Sequence, residues 1–202
     1  MKLFTRIALI GAALLAVAGT ASAQSYNTAT AVVPITQRTY EATIVGLVPA
    51  ASATDLLTIT GVAGHIVRVT RAECTGTATA VGAANLVALV RSTANSAGTS
   101  TSPAAIPADP SDSAALATVK AYTANPTVGT SIGPVRAAVL VLTPTSSTTI
   151  AEDPVNWTFG NNAGTRAGVV LRSATQVFAL NGNGASFPAG TALNCSIEWT
   201  EQ

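Results

Sequence analysis

Two cysteines, one histidine and nine carboxylates make up the conventional chemical repertoire of this 202-residue chain. Cys74 and Cys195 are an even pair, and in an oxidising compartment they are expected to form a disulfide. The alternative is two buried thiols on separate strands. The bond would close a loop of 120 intervening residues, which the loop-entropy model values at about 4 to 5 kcal/mol less any strain. No histidine lies near either cysteine in sequence and two thiolates alone make a poor metal site, so no metal and no cofactor are expected.

Any mechanism that relies on histidine must use His65. It follows Gly64 at the start of an expected strand, and no G-x-S-x-G elbow accompanies it, so it reads as a satisfied strand-edge histidine. A carboxylate pair can hydrolyse glycosides without histidine, and the candidates are Asp55, Glu73, Glu152, Asp153 and Glu198. Glu152-Asp153-Pro154 reads first as a turn, and Glu198 falls on a wet face; no catalytic residue is assigned, and the chain is not expected to be an enzyme. Asp109 and Asp112 supply a thin oxygen set for calcium, which takes six to eight ligands, and read as a solvated turn. Stacking on a sugar needs an open aromatic face. Among eight aromatics after residue 23, Tyr122 beside Asn125-Pro126 is the best candidate for a ligand-binding residue.

The elements that must position these groups begin after a leader. Lys2 and Arg6 precede the apolar run 7–19, and Ala21-Ser22-Ala23 carries the small residues that a signal peptidase accepts. Thirteen apolar residues fall short of the roughly 20 needed to span a bilayer, so residues 1–23 are expected to be a signal peptide cleaved near Ala23, with the protein secreted, periplasmic or at the cell surface. No second apolar run of that length follows, and no transmembrane segment is expected. From Gln24 onward there are 8 Lys plus Arg and 9 Asp plus Glu, a formal charge of 8 − 9 = −1. Scattered cations of this number offer no surface for nucleic acid or anionic lipid.

Ala (33) and Thr (28) supply a third of the 179 residues from Gln24 to Gln202, and Gly and Pro recur between short apolar segments. Period-two alternation predicts strands at 40–46, 56–60, 65–74, 86–91, 116–122, 135–142, 155–159, 168–172, 176–180 and 192–199. Ten short strands without a helical pattern predict an all-β, single-domain antiparallel β-sandwich of residues 40–202. Val155, Trp157 and Phe159, then Leu193, Cys195, Ile197 and Trp199, are expected on the core face. Segments 86–90 and 137–142 are apolar on both faces and read as central strands or strands covered by another subunit, not exposed edges. Asn181-Gly182-Asn183-Gly184 and Pro188-Ala189-Gly190 predict a hairpin-like link from 176–180 into 192–199. Segment 92–112 is long for a structureless loop and reads as functional or as an arm packed on a partner. Residues 24–39 are expected to form a loosely ordered arm.

Arg91-Ser92-Thr93-Ala94-Asn95, then 121–127 (AYTANPT), then 178–184 (FALNGNG), Pro188-Ala189-Gly190 and Glu198-Trp199-Thr200-Glu201 resemble segments of uncharacterised bacterial and phage-associated jelly-roll-like β proteins. The resemblance covers roughly residues 40–201 and implies a jelly-roll sandwich with a structural or surface role, often trimeric; it transfers no chemical site. The leader departs from that pattern, because a virion protein assembled in the cytoplasm needs none. Low charge, doubly apolar strands and missing catalytic groups together predict a self-associating structural or surface-assembly subunit, probed against cell-surface or glycan contact at Tyr122 as the rival.

Overall fold

The structure, a computed structural model, describes residues 37–146, 153–161 and 166–202. The expected signal peptide (residues 1–23), nearly all of the expected arm at 24–39, and Glu152 lie outside the described residues. Among the described residues fourteen strands form in chain order: β1 (Arg38–Leu47), β2 (Asp55–Thr60), β3 (Val67–Thr77), β4 (Gly82–Arg91), β5 (Ser100–Thr101), β6 (Ala105–Pro107), β7 (Thr118–Tyr122), β8 (Ser131–Leu142), β9 (Val155–Thr158), β10 (Gly160–Asn161), β11 (Arg166–Ala167), β12 (Val169–Leu171), β13 (Val177–Asn181) and β14 (Ala192–Glu201). All ten strands expected from alternation are present. β5, β6, β10 and β11 carry two or three residues each, too few to leave a periodic signal.

Two antiparallel six-stranded sheets result, with β10 and β11 pairing apart from them as a two-stranded ribbon. The first runs β12-β3-β14-β1-β6, with β9 beside β12 on the same edge of β3; the second runs β5-β7-β2-β13-β4-β8. The chain changes sheet from β1 to β2, β2 to β3, β3 to β4, β5 to β6, β6 to β7, β8 to β9, β12 to β13 and β13 to β14. Alternating residues of both sheets meet between them. Tyr40, Ala42, Cys195, Ile197 and Trp199 come from one side, and Leu57, Ile59, Leu86, Phe178 and Leu180 from the other. Phe159 reaches Phe178 edge-on with centroids 5.2 Å apart, and Tyr40 stacks on its cross-strand partner Trp199 at 5.8 Å. Trp157, Phe159, Leu193, Cys195, Ile197 and Trp199 are all buried, as the alternation predicts.

The cysteines are bonded, and they sit directly opposite each other on β3 and β14 with Cα atoms 4.1 Å apart. The bond therefore lies within one sheet, on its core face, and fixes the register of the last strand against an early one.

Three expectations are corrected by non-local pairing. Segments 176–180 and 192–199 do not form a hairpin: β13 pairs with β2 and β4, and β14 with β1 and β3, in opposite sheets. The local turn chemistry is present, with Asn183, Gly184 and Gly190 at φ of 56°, 69° and 66°. Its connection crosses the sandwich instead, because both strands bury one apolar row against the same core. Second, of the two segments read as central or as covered by another subunit, β4 is internal, whereas β8 is an edge strand and so not central. Third, segment 92–112, read as functional or as an arm packed on a partner, packs on its own chain: β5 pairs with β7 on one sheet and β6 with β1 on the other, so it straps the two sheets along one side.

Candidate functional site

Three of the segments singled out in the sequence, 91–95, 121–127 and 178–184, converge on the outer face of the second sheet. Alternation along β13 sends Phe178 and Leu180 to the core and Asn181 outward. A register shift between Leu180 and Asn181 sets Asp55 opposite Asn181. That bulge turns Asp55 away from the core face, which parity with Leu57 and Ile59 would otherwise give it. Arg91 ends β4 beside Val177.

Asp55 is 1% exposed and Arg91 4%. The guanidinium grips the carboxylate with two parallel bonds, Nε to Oδ2 at 2.9 Å and Nη2 to Oδ1 at 2.7 Å, the fork geometry that suits arginine. Asn95 Nδ2 donates to Oδ2 and Asn181 Nδ2 to Oδ1, each at 2.6 Å. Arg91 Nη1 donates to the Gly129 carbonyl at 2.8 Å, and Gly129 N–H returns a bond to Asn95 Oδ1 at 3.0 Å. Every acceptor site of the carboxylate is thus engaged, which is the condition under which a buried charge is tolerated. Gly129 is required here: a Cβ would overlap the Thr93 carbonyl oxygen, where the 92–96 and 127–130 segments pair through Ser92 N–H to Thr130 O and Ser96 with Thr127.

The network anchors one wall of a cavity of about 270 Å³ lined by Thr58, Thr60, Ala94, Asn95, Thr118, Lys120, Tyr122 and Val177. Thr58 and Thr60 on β2 lie opposite Lys120 and Thr118 on β7. The floor is a strand face, and the lip at 94–95 is held by Asn95. Tyr122 closes one end. At 4% exposure its ring offers no open stacking surface, which corrects the expectation of an exposed aromatic: the 92–101 segment covers it. Desolvation raises the Tyr122 phenol above its ordinary value; a hydrogen bond with Asn95 opposes this, the Asp55 charge adds to it, and a hydrogen bond with Thr58 opposes it.

The other candidates are dispersed. Glu73 and Glu198 stand on the outer face of the first sheet with Glu41, around Arg71, far in the fold from Asp55. Asp153 is exposed beside the end of β8. His65 is exposed in the turn before β3, which begins two residues later than expected. Asp109 accepts from the Ser111 hydroxyl and N–H, and the hydroxyl bond is the main cause of its lowered pKa; Asp112 pairs with Arg38. Among the described residues no group of three His, Cys, Asp or Glu is placed to hold a metal ion.

Sequence reasoning missed the network. In the sequence Asp55 stands only as one candidate carboxylate, Arg91 as the last residue of a strand and Asn95 and Asn181 as loop residues, with no local pattern that brings the four together. Glu201 was missed likewise: it is 6% exposed and accepts from the Leu116 and Ala117 N–H groups and Trp199 Nε1. Neither family models, nor curated proteins, nor solved structures yield a match to this chain.

Proposed function

We propose that this chain is an exported, non-enzymatic structural or surface-assembly subunit that associates with copies of itself. The observation that carries the reading is the β8 edge. Residues 131–136 of that strand contain Gly133, Pro134, Arg136 and two register shifts, the devices that discourage edge pairing. Residues 137–142, Ala-Ala-Val-Leu-Val-Leu, have no charge, no proline and an unbroken register with β4. Among the described residues their free edge is met only at Val141, by Asp153. Val139 is 51% exposed, and the outer face continues through Ala137 and the half-buried Val87 and Leu89. Such a strand is a template for another strand, and a closed symmetric oligomer is the ordinary way to cover it.

The sheet orders β1-β14-β3-β9 and β2-β13-β4-β8 support a jelly-roll arrangement of eight main strands. A disulfide, and no helix among the described residues long and apolar enough to cross a membrane, are compatible with export after cleavage near Ala23. The carboxylates add support to the non-enzymatic part, since Asp55 and Glu201 are saturated by structural bonds.

Sedimentation of the chain from Gln24 onward over a hundredfold concentration range tests the proposal. The expected result is a discrete oligomer whose dissociation constant rises at least tenfold in Val139→Lys. A monomer at every concentration, or an oligomer indifferent to Val139→Lys and to a second edge charge at Ala137→Lys, overturns it.

A further inference from the structure

We infer that the cavity bounded by Lys120, Asn95 and the threonines of β2 and β7 is a binding site for a hexuronic acid, a pyranose ring bearing one carboxylate. This does not depend on the self-association reading, since the cavity lies on the β7-β2-β13 side of the sheet and the exposed edge on the β8 side.

The volume, about 270 Å³, falls just under the usual 300 to 1,000 Å³ of small-molecule sites, so it suits one ring better than a chain of them. The charge selects an anion. Lys120 is exposed and makes no ion pair among the described residues. The nearby Asp55 is shielded below the surface by Arg91, Asn95 and Asn181. A carboxylate entering the cavity therefore meets one cation and no free anion. The remaining lining suits a polyol: the Thr60 and Thr118 hydroxyls each donate and accept, whereas Thr58 is buried with its hydroxyl on the Lys120 carbonyl. The Asn95 amide, with one N–H on Asp55 and one lone pair on Gly129, keeps one of each for Tyr122 and an incoming hydroxyl. The exposed Ala94 supplies an apolar contact for the C–H face of a ring. Preorganisation comes from the buried network, which fixes Asn95 before any ligand arrives and so reduces the ordering cost of binding.

The test is a titration of the ¹⁵N-labelled chain from Gln24 onward with D-glucuronate and D-galacturonate, with D-glucose and acetate as controls, followed by amide shifts. The expected result is saturable shifts confined to residues around Asn95, Thr118 and Lys120 for at least one hexuronate, with glucose and acetate each at least tenfold weaker. Lys120→Met is expected to weaken the hexuronate at least tenfold and Thr118→Val at least threefold, at unchanged melting temperature, since both positions are exposed. Four outcomes overturn the inference: no saturable shift with either hexuronate; unaltered affinity in Lys120→Met; acetate binding as tightly as the hexuronates, which reduces the site to a lone charge contact; or glucose binding as tightly, which removes the role of the carboxylate. None of these outcomes bears on Val139 or the oligomer.

Discussion

The outer faces of the two sheets carry the same pairing of arginine with carboxylate under opposite conditions. On the first sheet Arg71 lies 3.5 Å from Glu41, 3.1 Å from Glu73 and 3.8 Å from Glu198, with all four side chains 32 to 43% exposed. On the second sheet Arg91 lies 2.7 Å from Asp55, with the two side chains 5% and 0% exposed. The first cluster has more charges but remains in water, where ion pairs contribute little. The second has a single pair, desolvated under the 92–101 and 127–130 segments. Its attraction must be weighed against the cost of burial, so its presence adds little net stability while its disruption is severe. Burial, not the number of partners, decides which arginine the fold depends on.

The widest gap between the two faces is expected from Asp55→Ala. It leaves Arg91 buried with its Nε and Nη2 donors unpaired and releases Asn95 and Asn181, and a loss of about 3 to 5 kcal/mol in urea unfolding is expected. A loss below about 1 kcal/mol would erase the distinction between the faces. Arg71→Ala is expected to cost less than about 1 kcal/mol, and its effect should shrink further in about 1 M salt, where charges are screened within about 3 Å; a larger, salt-insensitive loss would place it with Arg91.

The finest test is at alkaline pH. The Tyr122 phenol is raised in the folded state, so between the unfolded and folded values the unfolded chain binds fewer protons than the folded one. Its contribution is therefore fully present below the ordinary tyrosine value and is lost as pH rises through the folded value. Tyr122→Phe should make the fall in stability above about pH 10 shallower than in the wild type, measured by unfolding at pH 8 and pH 11. Identical slopes would show that the phenol shares the wet environment of the first sheet.

Much of the fold was legible in the sequence because a strand signals itself locally. Trp157 and Phe159, or Ile197 and Trp199, alternate with polar residues over four to ten positions, and that pattern survives whatever partners the strand finds. The site was far less legible. Asp55 and Arg91 are 36 residues apart, and each looks like the wet end of an apolar strand. Tyr122 looks exposed beside Asn125-Pro126 until the 92–101 segment is laid over it.

By itself the sequence determined the all-β class, the positions of ten strands, the core-facing aromatics and the availability of one cysteine pair, all properties set by side-chain period and residue type. Tertiary structure alone decided that β13 and β14 separate into opposite sheets, that β8 ends as an edge, that Cys74 and Cys195 bond within one sheet, and that a bulge turns Asp55 outward to meet Arg91. The physical reason is that pairing and burial on an outer face depend on which distant segments arrive there, and a period of two residues carries no record of them.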